Sequence, residues 1–273
     1  MKRSNTNQIG VNSVNFKRAN HGFFLWFLSV ISFVQFSCND DIPAASQDRF
    51  VDNLYGNTTG LELIIAYEQG ADPYTSFGGF DNWRITDYNL NQLLGTQKIP
   101  VKVPHVLDSM KNLGVLSQNN YTRQNIIDIA ADVQRYSNKD SVKSIVLLFL
   151  NGYLIKDGVV ETRVLGLNID GSAVVAIFKP VISASSSKEA EKNMVEQSTV
   201  THEIGHVLGL VNNGVPTTSL HHDQANGSHC SNSNCVMYWK NGAGEVAQYI
   251  DRFTRGQDIT LFGEQCMADI KAK

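Results

Sequence analysis

The sequence predicts an α+β fold, and three observations predict it. Two apolar runs of strand length, residues 61–68 (LELIIAYE) and 144–151 (SIVLLFLN), lie on either side of a helical pattern. Two further apolar runs, 163–169 and 173–178, are joined by Asp170-Gly171, a pair suited to a hairpin turn. A long helical pattern follows, from about Ser186 to Val207. Strands gathered ahead of one long helix, without strict strand–helix alternation, make α+β the expected class.

The elements follow in chain order. Residues 61–68 read as a strand. Residues 82–114 are mixed and give no clear element, with Gly79, Pro100 and Pro104 punctuating their surroundings. Thr122 caps a helical pattern in which Ile126, Ile127, Ala130 and Val133 share a face. Residues 144–151 are apolar throughout, as in a strand covered on both faces, and are expected at the centre of a sheet. Ser186 and Glu189 have the spacing of a capping box that opens the long helix. Val200, Ile204, Val207 and Val211 form its core stripe, and Gly209 supplies the stop. Residues 212–228 are polar and read as loop, ending in His229-Cys230 and then Cys235-Val236-Met237-Tyr238-Trp239.

The chain has 273 residues, a net charge of -3 and 42% hydrophobic residues, enough for one globular domain with a real core. Near-neutral charge without a basic cluster in the body argues against a nucleic-acid partner. Lys2, Arg3, Lys17 and Arg18 precede an apolar run over 23–36, too short for a comfortable membrane span, so residues 1–37 read as a secretory signal. Residues 38–49 read as a flexible linker and 50–273 as the folded domain. In an exported chain Cys230, Cys235 and Cys266 are free to form a disulfide; Cys230–Cys235 is one pairing, and either cysteine with Cys266 is equally open.

The chemistry concentrates in His202-Glu203-Ile204-Gly205-His206. Imidazoles four residues apart on a helix lie on one face, about one turn apart, where a single tetrahedral zinc can take both. Glu203, next to the first imidazole, is placed to act on a zinc-bound water as general base. A shift of one residue would turn the second imidazole away. Five of the seven histidines fall between His202 and His229, in a chain otherwise poor in histidine.

His202-Glu203-x-x-His206-x-x-Gly209 resembles the start of the metzincin zinc-peptidase motif, except that Asn212 stands where the third His of that motif would be. His229-Cys230-x-x-x-x-Cys235-x-Met237 is similar to the archaemetzincin segment that carries the third His and the Met-turn, with extra residues inserted ahead of it. The Cys-x-x-Cys found further on in archaemetzincins is missing here, so the resemblance does not extend to a second, structural zinc. The whole chain also resembles envelope lipoprotein zinc metallopeptidases, which share Gly209-Leu210-Val211-Asn212; the resemblance is specific from about Ser198 to Trp239 and diffuse elsewhere. Cys38, just after the apolar run, resembles the lipidated cysteine of a bacterial lipobox; Ser37 suits the preceding position, and Gln35 does not suit the usual Leu site.

The resemblance implies a metzincin-like fold: a small twisted mixed sheet, an active-site helix, and a loop-rich C-terminal subdomain with a Met-turn. It implies one catalytic zinc ion held by His202, His206 and His229. His221 is the alternative third ligand, followed by His222 and last Asn212. Asp223 would orient a ligand imidazole, Met237 would be the Met-turn residue, and Tyr238 either donates to the reaction's oxyanion or simply packs. The expected activity is a zinc-dependent endopeptidase acting on peptides or proteins outside the cell, with Glu203 as general base and residues 173–178 as the edge strand that receives the substrate. The alternative is a zinc-binding surface lipoprotein of weak or no activity, used for adhesion or binding. The expected location is the cell envelope, at the outer membrane and on its outer surface; Asn39-Asp40-Asp41 after the cysteine resemble the surface-export signals of some Gram-negative envelope lipoproteins. Contact with a membrane is expected only through the N-terminal lipid.

Overall fold

The computed structural model describes residues 47–134, 141–240, 249 and 259–273, all within one compact unit spanning 33–273. The expected signal segment, the expected lipidation site Cys38 and most of the expected 38–49 linker lie outside the described residues. The chain runs α1 (Gln47–Asn57), β1 (Gly60–Tyr67), β2 (Ser76–Phe77), β3 (Phe80–Asp81), α2 (Trp83–Gly95), β4 (Val101–Lys102), β5 (Lys111–Asn112) and α3 (Arg123–Gln134). It continues with β6 (Val142–Leu150), β7 (Leu154–Lys156), β8 (Val159–Glu161), β9 (Gly166–Asn168), β10 (Val174–Phe178), α4 (Lys179–Ala184), α5 (Glu189–Val207) and a C-terminal helix, α6 (Glu264–Ala272). This is a mixed α+β architecture. Among the described residues no helix is long and apolar enough to cross a membrane.

The main sheet has the order β4-β1-β6-β10-β9, with β5 also pairing β1. All pairs are parallel except β9 with β10, where Val175 faces Asn168 and Ile177 faces Gly166. β6 is central, as its apolar run predicts, and Ile145 through Leu150 are all buried. α3 packs against β6, β1 and β10, while α5 packs against β9 and β10. α3 begins as expected: Asn125 N–H donates to Thr122 Oγ1 at 3.2 Å, and Thr122 N–H donates back to Asn125 Oδ1 at 3.0 Å.

Three expectations are corrected. Residues 173–178 do not form the sheet edge. β10 is paired on both sides, because Asp170 to Gly171 (Gly171 at φ 71°) turns the chain back and leaves β9 outermost. The Ser186–Glu189 capping box does not form. Ser186 Oγ instead donates to Glu191 at 2.6 Å and accepts from Lys188 N–H at 3.0 Å, and Lys188 is the N-cap. Residues 82–114, left without an element, contain α2. Its flanking Asn82 spends its side-chain amide on Tyr74 O and Asn193 rather than on a cap, so the usual start signal is silent.

α5 is buried on all faces from Asn193 to Val207, well beyond the predicted stripe. Several of its polar side chains have matched partners on neighbouring elements. Thr86 Oγ1 donates to Gln197 Oε1 at 2.7 Å. Glu196 accepts Tyr74 N–H at 2.7 Å and pairs with Lys179. A helix this deep can hold histidines away from water. It stops where expected: Gly209 has φ 86°, and its N–H donates to His206 O at 3.0 Å.

Candidate metal centre

α5 presents His202 and His206 one turn apart, and the segment after the 212–228 loop brings His229 against them. All three are at most 3% exposed. Their ring centroids are 4.7, 5.2 and 5.1 Å apart, and one nitrogen from each lies within 4.8 Å of the others. Nε2 of His202 and Nε2 of His206 are 3.1 Å apart. Two nitrogens on a tetrahedral zinc, each at about 2.05 Å, would be about 3.3 Å apart. The residues therefore fit the ion that the motif implies.

The ring orientations have identifiable causes. His202 Nδ1–H donates to Val236 O at 2.6 Å, and His229 Nδ1–H donates to Asn226 O at 2.5 Å. A proton fixed on Nδ1 leaves the Nε2 lone pair for a metal. Burial, reinforced by His229, pushes His202 down to about 3; burial also holds His206 well below the ordinary histidine value and lowers His229. All three are thus neutral near pH 7, the form that binds metal.

Glu203 is 1% exposed. The Asn168 N–H of β9 donates to its Oε2 at 2.8 Å, while Oε1 has no hydrogen-bond partner. Burial pushes the carboxyl up to about 8, opposed by the Asn168 bond; Asp170 raises it further and Arg123 lowers it. Met237 is fully buried against α5: a Cβ at Gly205 would overlap its Sδ. Tyr238 is half-buried, its ring 6.1 Å from that of Trp239.

The other sequence candidates lie elsewhere. His221 is not beside His202 and His206: its Nε2 meets Asp269 Oδ2 at 2.7 Å and its Nδ1 meets Cys230 Sγ at 3.3 Å. Asn212 and His222 hydrogen-bond each other at 2.9 Å within the loop. Asp223 does not orient His229 by a side-chain bond. Its carboxylate accepts the Asn226 amide at 2.7 Å, and the Asn226 carbonyl holds the ring, because the 3₁₀ turn Gln224–Asn226 points that carbonyl at it. The Cys230–Cys235 disulfide left open by the sequence is absent. Cys230, Cys235 and Cys266 are all free and buried; Cys230 and Cys266 lie beside His221, and Cys235 Sγ is 3.6 Å from Cys266 Sγ. Asn168, Asn226 and Val236 act here through backbone groups, which no side-chain motif announces.

No family model and no curated protein matches the chain. Among solved structures it is similar to a zinc-dependent peptidase from Methanocorpusculum labreanum, at 13% identity and a TM-score of 0.44, over 77% of this chain and 100% of that one. At that TM-score the likeness carries no argument about this chain.

Proposed function

We propose that the chain is a zinc-dependent endopeptidase, with His202, His206 and His229 holding one catalytic zinc and Glu203 as general base. One observation carries this reading: three buried, neutral imidazoles converge beside a buried carboxylate that has one oxygen without a partner. A structural zinc site closes with a fourth protein ligand and needs no such carboxylate.

Bound zinc would supply Lewis-acid polarisation of a carbonyl and an acidified water. The protein's own groups do the rest. Glu203 Oε1 is the atom that takes a proton, while the Asn168 N–H fixes the other oxygen and so the plane of the carboxylate. Burial keeps the carboxylate basic enough to accept that proton and to pass it to a leaving amine. Met237 serves as the apolar floor of a Met-turn beneath the ligand histidines. Backbone pairing of an extended peptide with the outer strand β9, rather than with β10, would be largely blind to sequence, which makes the substrate a peptide or protein. The enzyme would act outside the cell, anchored to the envelope through lipid on Cys38.

The test is Glu203→Ala in zinc-loaded protein. Peptide hydrolysis is expected to fall to background while zinc content stays at the parent's level. Parent-like cleavage by the variant would remove Glu203 from the mechanism. Failure of the zinc-loaded parent to cleave any member of a broad peptide library would favour the zinc-binding surface protein.

A further inference from the structure

His202 and His206 are held by a buried helix, whereas His229 is delivered by a loop. The turn before it grips His229 at three points. The Nδ1–H donates to Asn226 O at 2.5 Å, the backbone N–H donates to Gly227 O at 2.8 Å, and the carbonyl accepts Asp223 N–H at 2.8 Å. What fixes this turn leads back to the end of α5.

Asn212 follows the last turn of the ligand helix. Its φ of 61° lies in the left-handed region, which asparagine adopts more readily than most residues. Its side chain has a defined polarity. Oδ1 accepts Thr217 N–H at 3.0 Å, which leaves Nδ2–H to donate to His222 Nδ1 at 2.9 Å. A ring nitrogen that accepts puts the His222 proton on Nε2, and Nε2–H donates to Gly227 O at 3.0 Å. That carbonyl is the one that also takes the His229 N–H. Gly227 itself, at φ 79° and ψ -145°, has a backbone that only glycine adopts freely, so an outside hold on its carbonyl matters.

We infer that Asn212 and His222 are positioning residues for the metal centre: the hydrogen-bonded chain from Asn212 through His222 to Gly227 ties the end of α5 to the turn that presents His229.

This role rests on His229 being a zinc ligand and is independent of peptidase activity. It gives Asn212 a task at the position where the motif it resembles carries a third histidine: the residue does not bind metal but secures the loop that brings the ligand. The bonds fall at 212, 217, 222 and 227, so they fasten the loop along most of its length. Asn212 is exposed, and His222 and Gly227 are half-buried. Hydrogen bonds in such places contribute modestly. Cutting the chain should weaken zinc binding about 3–10-fold, less than the roughly 10–100-fold for a group bonded directly to a ligand imidazole.

The test uses the full zinc-loaded chain, with zinc affinity from chelator competition and the imidazole N–H protons followed by NMR. Asn212→Gly removes the side chain without straining the left-handed backbone. Asn212→Gly and His222→Ala should each keep the zinc of His202, His206 and His229 at about 3–10-fold lower affinity. The His229 Nδ1–H signal should shift and exchange faster in both. The His202 Nδ1–H signal, whose partner is Val236 O, should stay. The double variant should bind no more weakly than the weaker single one, because both cut the same chain. His222→Gln, which retains an acceptor and a donor, should recover part of the loss. Parent-like affinity with an unmoved His229 signal in both single variants overturns the role, and so does equal movement of the His202 and His229 signals, which would mean general loosening. Parent-like zinc affinity in His229→Ala would remove the ligand and this role together, whereas loss of zinc there with parent-like Asn212→Gly and His222→Ala would remove the role alone.

Discussion

The Asn168 backbone N–H donates to Glu203 Oε2 across 2.8 Å, joining the outermost strand to the helix that carries the histidine pair. The bond depends on how closely β9 crosses α5. A Cβ at Gly166 would lie 2.7 Å from Thr199 Cγ2 and 3.1 Å from Glu203 Cγ. Gly166→Ala should therefore lift β9 off α5 and lengthen the bond. Overpacking of this kind costs about 1–3 kcal/mol. A displaced carboxylate should cost on the order of 100-fold in kcat, with zinc retained. Thermal unfolding, peptide hydrolysis and zinc content together check this; unchanged kcat would mean that the strand does not set the carboxylate.

Metal-free protein should show the burial of Glu203 directly in its stability. The unfolded carboxyl ionises near 4.5, whereas the folded one holds its proton up to about 8. Between those values the folded state binds more protons, so stability present below 4.5 is lost as pH rises through 8. His202 works in the opposite direction: its folded value near 3 lies below 6.5, so stability falls as pH drops from 6.5 toward 3. Glu203→Gln removes only the alkaline loss. The metal-free variant should unfold at a higher temperature than the metal-free parent at pH 8.5, by no more than a few kcal/mol equivalent, and the gap should close toward pH 4.5. A gap that does not change with pH would contradict the argument.

His229→Ala should lose the catalytic zinc, because it removes one of three converging imidazoles. His222→Ala should keep it, since His222 is bonded to Asn212 and to Gly227 O within the loop. Zinc retention under a graded chelator series separates the two outcomes. Retention by His229→Ala with loss in His222→Ala would move the third ligand into the loop.

What could be read from the sequence follows the range over which each signal acts. The His202–His206 pair and Glu203 were legible because helix geometry fixes their relation within one turn. The strand runs 61–68 and 144–151 were legible for the same reason, being local and strongly apolar. His229 was reached only through a resemblance, since 23 positions separate it from His206 and no periodicity spans a loop. The edge strand was misplaced because 174–178 and 166–168 are both buried, and burial does not say which strand is outermost. The grouping of His221 with Cys266 was invisible, because it depends on where α6 docks. A single carboxylate on a terminal helix likewise announces nothing of its partners, and Asp269 meets Thr218 and His221 across about 50 positions of sequence.

Asp269→Asn tests what ties the 212–228 loop to α6. The carboxylate accepts on both oxygens, from Thr218 on one side and from His221 Nε2–H on the other. An asparagine can still accept from Thr218 through its carbonyl oxygen. Its amide then faces the His221 Nε2–H with a donor of its own. A buried donor left without its acceptor costs about 1–3 kcal/mol. Thermal unfolding of the variant should move to lower temperature accordingly. Zinc binding by His202, His206 and His229 should change little, because His202 and His229 are oriented by Val236 O and Asn226 O. A variant that unfolds with the parent would show that this carboxylate does not hold the loop on α6.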